Sequence, residues 1–251
     1  MSYSSLEERE VFYGKEFDIE AVTGWLRNVM ERPVFAVIIG RHTGIYPEKY
    51  REEASTTILI DEYRDLIDVK EQILDFLPES VYYDRNIYSE ERRVLGQEMA
   101  FDLDPENLAC PIHGSLEDKM RRGQGLSFCE LELRMVKDET LRLYEELKTI
   151  FSQARIVYSG RGFHIHILDK DAFDWSFDQR KKLVLDLKAK DFLIDEWVTS
   201  GAMRLIRLPY SLHGMVSRIV TPLNIDNLGD FDPIRDSRCI PGFKLTSYRT
   251  S

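Results

Sequence analysis

Apolar residues recur at helical spacing in some stretches of the chain and alternate or cluster as strands in others. Phe12, Phe17, Val22, Trp25, Leu26 and Val29 predict a helix over residues 6–30, with Gly24 its weak point. Leu66, Val69, Ile73, Leu74 and Leu77 line one side of a helix over Asp65–Leu77, stopped by Pro78. Leu141, Tyr144, Leu147 and Phe151 predict a long helix from about Met135 to Phe151. Ser176 with Gln179 forms a capping box that opens a helix through about Lys190. Short runs between these, rich in β-branched and aromatic residues, predict strands: VFAVIIG, STTILIDEY, SVYYDRNIY and MAFDLD. ARIVYSGRGFHIHILD reads as strand, glycine turn, strand. The stretch DEWVTSGAMRLIRLPYSLHGMVSRIVTPL mixes strands with turns, and from Asn224 onward no period is clear. Irregular alternation of this kind predicts an α+β (mixed α/β) fold with a mixed sheet flanked by helices.

Composition narrows the function classes. The chain has 251 residues, 43% of them hydrophobic, enough for one substantial core or two small ones. No run of about 18 apolar residues occurs, so no membrane span is expected. The acidic, polar start MSYSSLEERE does not read as a signal peptide. Cys110, Cys129 and Cys239 are odd in number and widely spaced, unlike a secreted disulfide scaffold, so an intracellular protein is expected. The net charge of −10 argues against a binder that coats nucleic acid with lysine. It leaves room for an enzyme that holds metal with acids and phosphate with a few local arginines. No internal repeat, low-complexity linker or firm domain boundary is evident.

Three stretches carry candidate chemistry. In MAFDLDPEN, strand alternation puts Asp102 and Asp104 on one face while Phe101 and Leu103 point to the core. Paired carboxylates at a strand end suit hard divalent cations, as in phosphoryl-transfer sites, although a bare D-x-D also fits an acidic, solvated turn. In VYSGRGFHIHIL, Gly160 and Gly162 permit a tight turn that exposes N–H groups beside Ser159 and Arg161. His164 and His166 then share the polar face of the next strand, an arrangement that fits a triphosphate cradle or a histidine-lined hairpin. In RLIRLPYSLHG, Arg204 and Arg207 fall on opposite faces, so one is suited to phosphate and the other to a structural role. Ser211 and His213 follow in a turn.

Together these stretches resemble the catalytic (small) subunit of archaeal and eukaryotic DNA primases. FDLDPEN is similar to that family's metal-binding aspartate strand, YSGRGFHIHI to its nucleotide-binding turn, and RLIRLPYSLHG to its late basic-histidine segment. Weaker similarity in REVFYGKEF, Arg41–His42, LPESVYY and TPLNIDNLGDFDPI extends the likeness over nearly the whole chain. The resemblance implies one primase catalytic domain over residues 1–251. It implies that Asp102, Asp104 and Asp195 bind catalytic Mg²⁺ or Mn²⁺, Asp195 being assigned from the Asp-x-x-Val setting of IDEWVTS with Glu196 the neighbouring alternative. Ser159, Gly160, Arg161 and His164 would hold nucleotide phosphates, with Arg207, His213 and Arg41 in further nucleotide or template contact. His166 receives no role and reads as a surface or packing histidine.

Such primases carry a zinc knob between the aspartates and the glycine turn, here expected at residues 105–134. Cys110, His113 and Cys129 match it, but Glu132 stands where a cysteine is usual; the alternatives are structural Zn²⁺ on that set, a metal-free knob, or a fourth ligand elsewhere. Only about thirty residues separate the glycine turn from Asp195, where many members insert a helical subdomain, so that subdomain is expected to be largely missing. The implied reaction is template-directed nucleotidyl transfer making short RNA or DNA primers on single-stranded DNA from NTPs or dNTPs. The implied partner is a primase large subunit in a heterodimer, and the implied location the cytoplasm or nucleoid of an archaeon. Three further readings stay open: a primase-like polymerase of repair or of a mobile element acting alone, a non-catalytic nucleotide-binding scaffold, and a metal-dependent phosphoesterase. The last is disfavoured, since no hydrolase water-positioning motif is present.

Overall fold

The computed structural model describes residues 2–27, 30 and 32–247, so Val29 of the first predicted helix lies outside the described residues. In chain order the strands are β1 (Phe35–Ile38), β2 (Thr57–Ile60), β3 (Ser80–Asp84), β4 (Asn86–Tyr88), β5 (Val94–Gln97), β6 (Met99–Leu103), β7 (Ala154–Tyr158), β8 (Phe163–Ile167), β9 (Leu205–Arg207), β10 (Leu212–His213), β11 (Arg218–Ile219) and β12 (Thr221–Leu223). The α-helices are α1 (Leu6–Val11), α2 (Ile19–Leu26), α3 (Leu66–Phe76), α4 (Leu116–Arg121), α5 (Glu130–Leu147), α6 (Phe177–Lys188), α7 (Glu196–Ser200) and α8 (Gly242–Ser247). The fold is mixed α+β, as the pattern predicts. Among the described residues no helix is long and apolar enough to cross a membrane.

The chain forms two compact units. The first comprises Met1–Ile87, Leu205–Pro222 and Asp230–Ser251, and the second Tyr88–Arg204 with Leu223–Gly229. In the first, the sheet order is β2-β1-β3-β9, with antiparallel pairing throughout. Phe35, Val37, Val81 and Tyr83 are fully buried within it. The single helix predicted over residues 6–30 is instead two. After α1 comes a π-turn at Phe12–Glu16, and the Asp18 carboxylate, accepting from the N–H groups of Glu20 and Ala21, starts α2 afresh. A short side-chain acceptor competes with the helix ladder and is better used as a cap than mid-helix. The α3 boundaries agree with the sequence: Asp65 caps its start, and Leu77 ends it in the left-handed region just before Pro78.

A fully buried arginine ties this unit together. Arg9 donates to the carbonyls of Ile39, Ile45 and Leu77 and to the hydroxyls of Ser4 and Thr43. The Thr43 hydroxyl in turn donates to Glu79 at 2.7 Å, and buried Glu79 also accepts from the Thr43 and His42 amides and from His42 Nδ1.

In the second unit β8 lies between β6 and β7. The pattern along the chain predicts a mixed sheet; the β6–β8 and β7–β8 pairings, like those of the first unit, are antiparallel. The reason lies in the connection: β7 and β8 are joined by the short Ser159–Gly162 turn, which only antiparallel neighbours allow. All five β8 residues are buried, and α5 packs against β8 and β6. Helix α5 begins five residues before the predicted Met135 because Cys129 and Glu132 form a capping box there. Between β8 and Asp195 stand only one 3₁₀ segment, Lys170–Asp174, and α6, opened by the predicted Ser176–Gln179 box.

Replacing Arg9 with Met keeps the volume but strands three carbonyls and removes the charge that interacts with buried Glu79. The expected cost is about 3–5 kcal/mol of unfolding free energy, read from urea denaturation curves.

Candidate functional site

β6 delivers the aspartates as alternation requires. Phe101 and Leu103 are buried, while Asp102 and Asp104 are partly accessible. The β6–β8 register sets Asp102 directly opposite His164, and His164 Nε2 lies 3.5 Å from Asp102 Oδ1. Asp104 ends the strand, caps the Pro105–Asn107 turn and is bonded to Asn107, its N–H donating to Asn107 Oδ1 at 3.2 Å.

The glycine turn is pressed onto this strand end. Gly160 has φ +103°, a conformation open to glycine. Gly162 serves differently: a Cβ there would collide with the Leu103 carbonyl oxygen and Asp104 Oδ1, and would stand 3.0 Å from Asp104 Cα. Ser159 closes the turn on itself, accepting from the Gly162 N–H through Oγ at 3.1 Å and donating its own N–H to the Gly162 carbonyl. Arg161, nearly buried, donates through Nη2 to Glu106 Oε1 at 2.6 Å and to the Leu126 carbonyl at 2.9 Å, and lies over the Phe128 ring.

Asp195 is brought to the same place from far along the chain. Its backbone N–H donates to the Asp102 carbonyl at 3.1 Å. Its Oδ1 caps α7, accepting from Trp197 N at 2.7 Å and Val198 N at 3.4 Å. Glu196, the alternative, is paired with Lys188, whose hydrogen bond holds the carboxyl below the ordinary range.

The predicted knob residues converge. One ligating atom each from Cys110, His113, Cys129 and Glu132 lies within 4.8 Å of the others, the only such group among the described residues. Cys110 Sγ is 3.5 Å from His113 Nδ1 and 4.0 Å from Cys129 Sγ. Ligands on a zinc tetrahedron stand about 3.5–3.8 Å apart, given Zn–S near 2.3 Å and Zn–N near 2.0 Å, so the Cys110–His113 distance matches and the Cys110–Cys129 distance is slightly longer. Glu132 is placed differently from a plain ligand. Its Oε2 accepts from the Cys129 N–H at 2.8 Å, and its Oε1 pairs with buried Lys119 Nζ at 2.6 Å. Burial pushes the Glu132 carboxyl up, but the Lys119 and Cys129 bonds outweigh it and leave it below the usual range. Cys239 stands apart in the first unit, donating to the Pro233 and Asp236 carbonyls, its thiol pushed up to about 12 by burial.

Arg41, Arg207 and His213 belong to the first unit. Arg41 is exposed and donates to the Ser55 carbonyl and Thr57 hydroxyl. Arg207 donates to Ser80 Oγ at 2.8 Å and lies over the Tyr82 ring, its register partner. His213 is buried in β10 opposite Arg218. Three polar features escape a reading of the sequence: the Arg9–Glu79–His42 network, Lys119, and the partner of His166. His166 is no surface residue; it is fully buried, and its Nδ1 is hydrogen-bonded to Glu98 Oε1 at 2.8 Å. The even spacing of Glu98, Ala100 and Asp102 is the one signal that could have found it.

No protein-family profile matches the chain. It is 50% identical to an uncharacterized DNA primase small subunit-like protein of Archaeoglobus fulgidus, over 100% of this chain and 94% of the relative. It is 24% identical to the DNA primase small subunit PriS of Thermococcus sibiricus, over 89% of this chain and 62% of that protein. With PriS of Pyrococcus furiosus the identity is 27%, over 74% and 49%. The chain thus spans about half to three fifths of these PriS relatives. Among solved structures, the polymerase domain of Mycobacterium tuberculosis Ligase D, in complex with DNA, superposes with a TM-score of 0.54 at 14% identity. That match covers 95% of this chain and 88% of the other, a likeness of fold.

Gly162→Ala tests the close approach of turn and strand. The added methyl should cost about 1–3 kcal/mol through forced backbone shifts, measured by chemical denaturation, whereas Gly229→Ala serves as a control with no neighbour within 4 Å at its Cβ.

Proposed function

The chain belongs to the DNA primase small subunit-like family, and from that premise we propose that it is a nucleotidyltransferase that joins nucleotides on a single-stranded DNA template. One observation carries the reading: segments far apart in sequence meet at the end of β6. The Asp195 amide bonds the Asp102 carbonyl, and Gly162 abuts Asp104. In the proposed reaction the 3′-hydroxyl of one nucleotide attacks the α-phosphate of the next, and pyrophosphate leaves.

Asp102, Asp104 and Asp195 would hold the catalytic cations. An all-carboxylate donor set fits Mg²⁺ or Mn²⁺ better than a metal that prefers nitrogen or sulfur. Bound there, such ions supply charge neutralisation at the transferring phosphoryl group and a lowered pKa for the attacking hydroxyl. His164, opposite Asp102, and the Gly160 and Arg161 N–H groups at the tip of the turn that Ser159 closes would orient the triphosphate. Arg161 would exchange its single Nη2 bond to Glu106 for phosphate, to which its fork can donate in a bidentate manner. Arg207, His213 and Arg41 would add contacts to nucleotide or template. Cys110, His113 and Cys129, with Glu132 as a carboxylate fourth ligand, would hold a structural Zn²⁺ in the knob. NTPs or dNTPs are the proposed substrates, a large subunit the proposed partner, and the cell interior the proposed location.

A second reading, a primase-like polymerase acting without a large subunit, is favoured by the short stretch between the turn and Asp195, which holds one α-helix. Incorporation of labelled nucleotide on unprimed and primed single strands separates the two. Only a primase starts on the unprimed strand. In either case Asp102→Asn with Asp104→Asn should lower incorporation by about a thousandfold or more. Incorporation at the parental rate would sink the proposal. Elemental analysis of the purified protein should find about one zinc per chain, and Cys110→Ser with Cys129→Ser should abolish it.

A further inference from the structure

The most elaborate polar arrangement not yet given a task lies beneath the Asp102–His164 pair. Glu98, the residue before β6, is spaced to share a face with Ala100 and Asp102 of that strand; on β8, His166 stands opposite Ala100 and His164 opposite Asp102. The result is a row in which Glu98 bonds His166, the two imidazole rings meet edge to face with centroids 5.8 Å apart, and His164 faces Asp102. Glu98 and His166 are both fully buried. The Glu98 end is anchored: buried Arg180 of α6 donates to the carbonyls of Gln97 and Glu98.

A fully buried carboxylate–imidazole pair is a costly way to fill a sheet face. Apolar residues of similar volume usually serve as well or better for stability, so such pairs are retained where they define an arrangement. Here the neighbour whose arrangement is defined is His164. A histidine on a functional site is oriented by what its surroundings fix, and supporting residues that set ring plane and tautomer have effects on binding comparable to direct contacts.

We propose that Glu98 and His166 are positioning residues: the pair locks the His166 ring, whose edge fixes the plane of His164 and so aims its Nε2 at the Asp102 end of β6. This rests on the proposed role of His164 toward nucleotide phosphate. The full chain is compared with two variants. Glu98→Leu with His166→Leu removes the pair without leaving a buried charge alone, and His166→Asn keeps an N–H donor near the place of Nδ1. Two readouts are used: the ring ¹⁵N resonances of His164, assigned by His164→Gln, and the nucleotide KM against kcat. The double leucine variant should stay folded, shift the His164 ring nitrogens, and raise nucleotide KM about tenfold with kcat changed less. His166→Asn should restore the His164 resonances and bring KM to within about threefold of the parent. Unchanged His164 resonances, or an unchanged KM, in the double leucine variant would overturn the proposal. A parent protein that neither binds nor uses nucleotide would overturn the nucleotide reading instead, and the His164 resonances would still decide the positioning role.

Discussion

The arrangement of the candidate site depends on one constraint, the absence of a side chain at Gly162. Because no Cβ stands there, the turn after β7 can seat its backbone against Leu103 and Asp104. That contact joins the end of β6 to the start of β8, where the strands pair Leu103 with Phe163 and Asp102 with His164. Register in a sheet has no half measures: a slip of one residue would send both histidines and both aspartates to the opposite face. The burial of Phe101, Leu103, Phe163 and Ile165 resists such a slip. Packing on one face of these strands therefore sets the chemistry on the other.

Several of the chain's charged side chains lie inside. Arg9 with Glu79, Lys119 with Glu132, and Glu98 with His166 are all buried. Each binds segments distant in sequence. Arg9 gathers three carbonyls from two connections, Lys119 links α4 to the start of α5, and His166 crosses from β8 to the residue before β6. Buried polar groups fully matched to partners specify one arrangement more sharply than apolar packing does, because any other leaves a charge unpaired. The net charge of −10 says nothing of this, since it counts charges without regard to which are inside.

What can be read from the residues alone follows the range of the interaction. The ends of α3, marked by Asp65 and Pro78, and the start of α6, marked by Ser176 and Gln179, are local signals and agree with the structure. So is the alternation that buries Phe101 and Leu103 between the aspartates. The break at Asp18 is hidden because apolar spacing continues across it, while the cap that makes it acts over only two or three residues. The early start of α5 is hidden for another reason: cysteine is a weak cap, and Glu132 in a cysteine–histidine setting suggests a ligand before it suggests a capping residue. Lys119, within the charged run EDKMRRG, reads as solvated until the fold encloses it. Glu98 and His166 stand 68 residues apart, and only the strand register makes them neighbours.

The knob and the glycine turn are one assembly by virtue of Arg161. Its guanidinium bonds Glu106 at the exit of the aspartate strand and the Leu126 carbonyl in the knob, and rests over Phe128 one residue before Cys129. Phe128 and Cys129 are sequential, so a shift of the knob's ligand frame moves the ring on which Arg161 lies. Glu106 likewise follows Asp104 by two residues, within the same short turn. Arg161 thus ties the exit of the aspartate strand to the segment that leads into α5. Glu132 is held at both carboxylate oxygens, by the Cys129 N–H in the capping box of α5 and by Lys119. The helix whose start it helps to cap packs against β6 and β8, the two strands that carry Asp102 and His164.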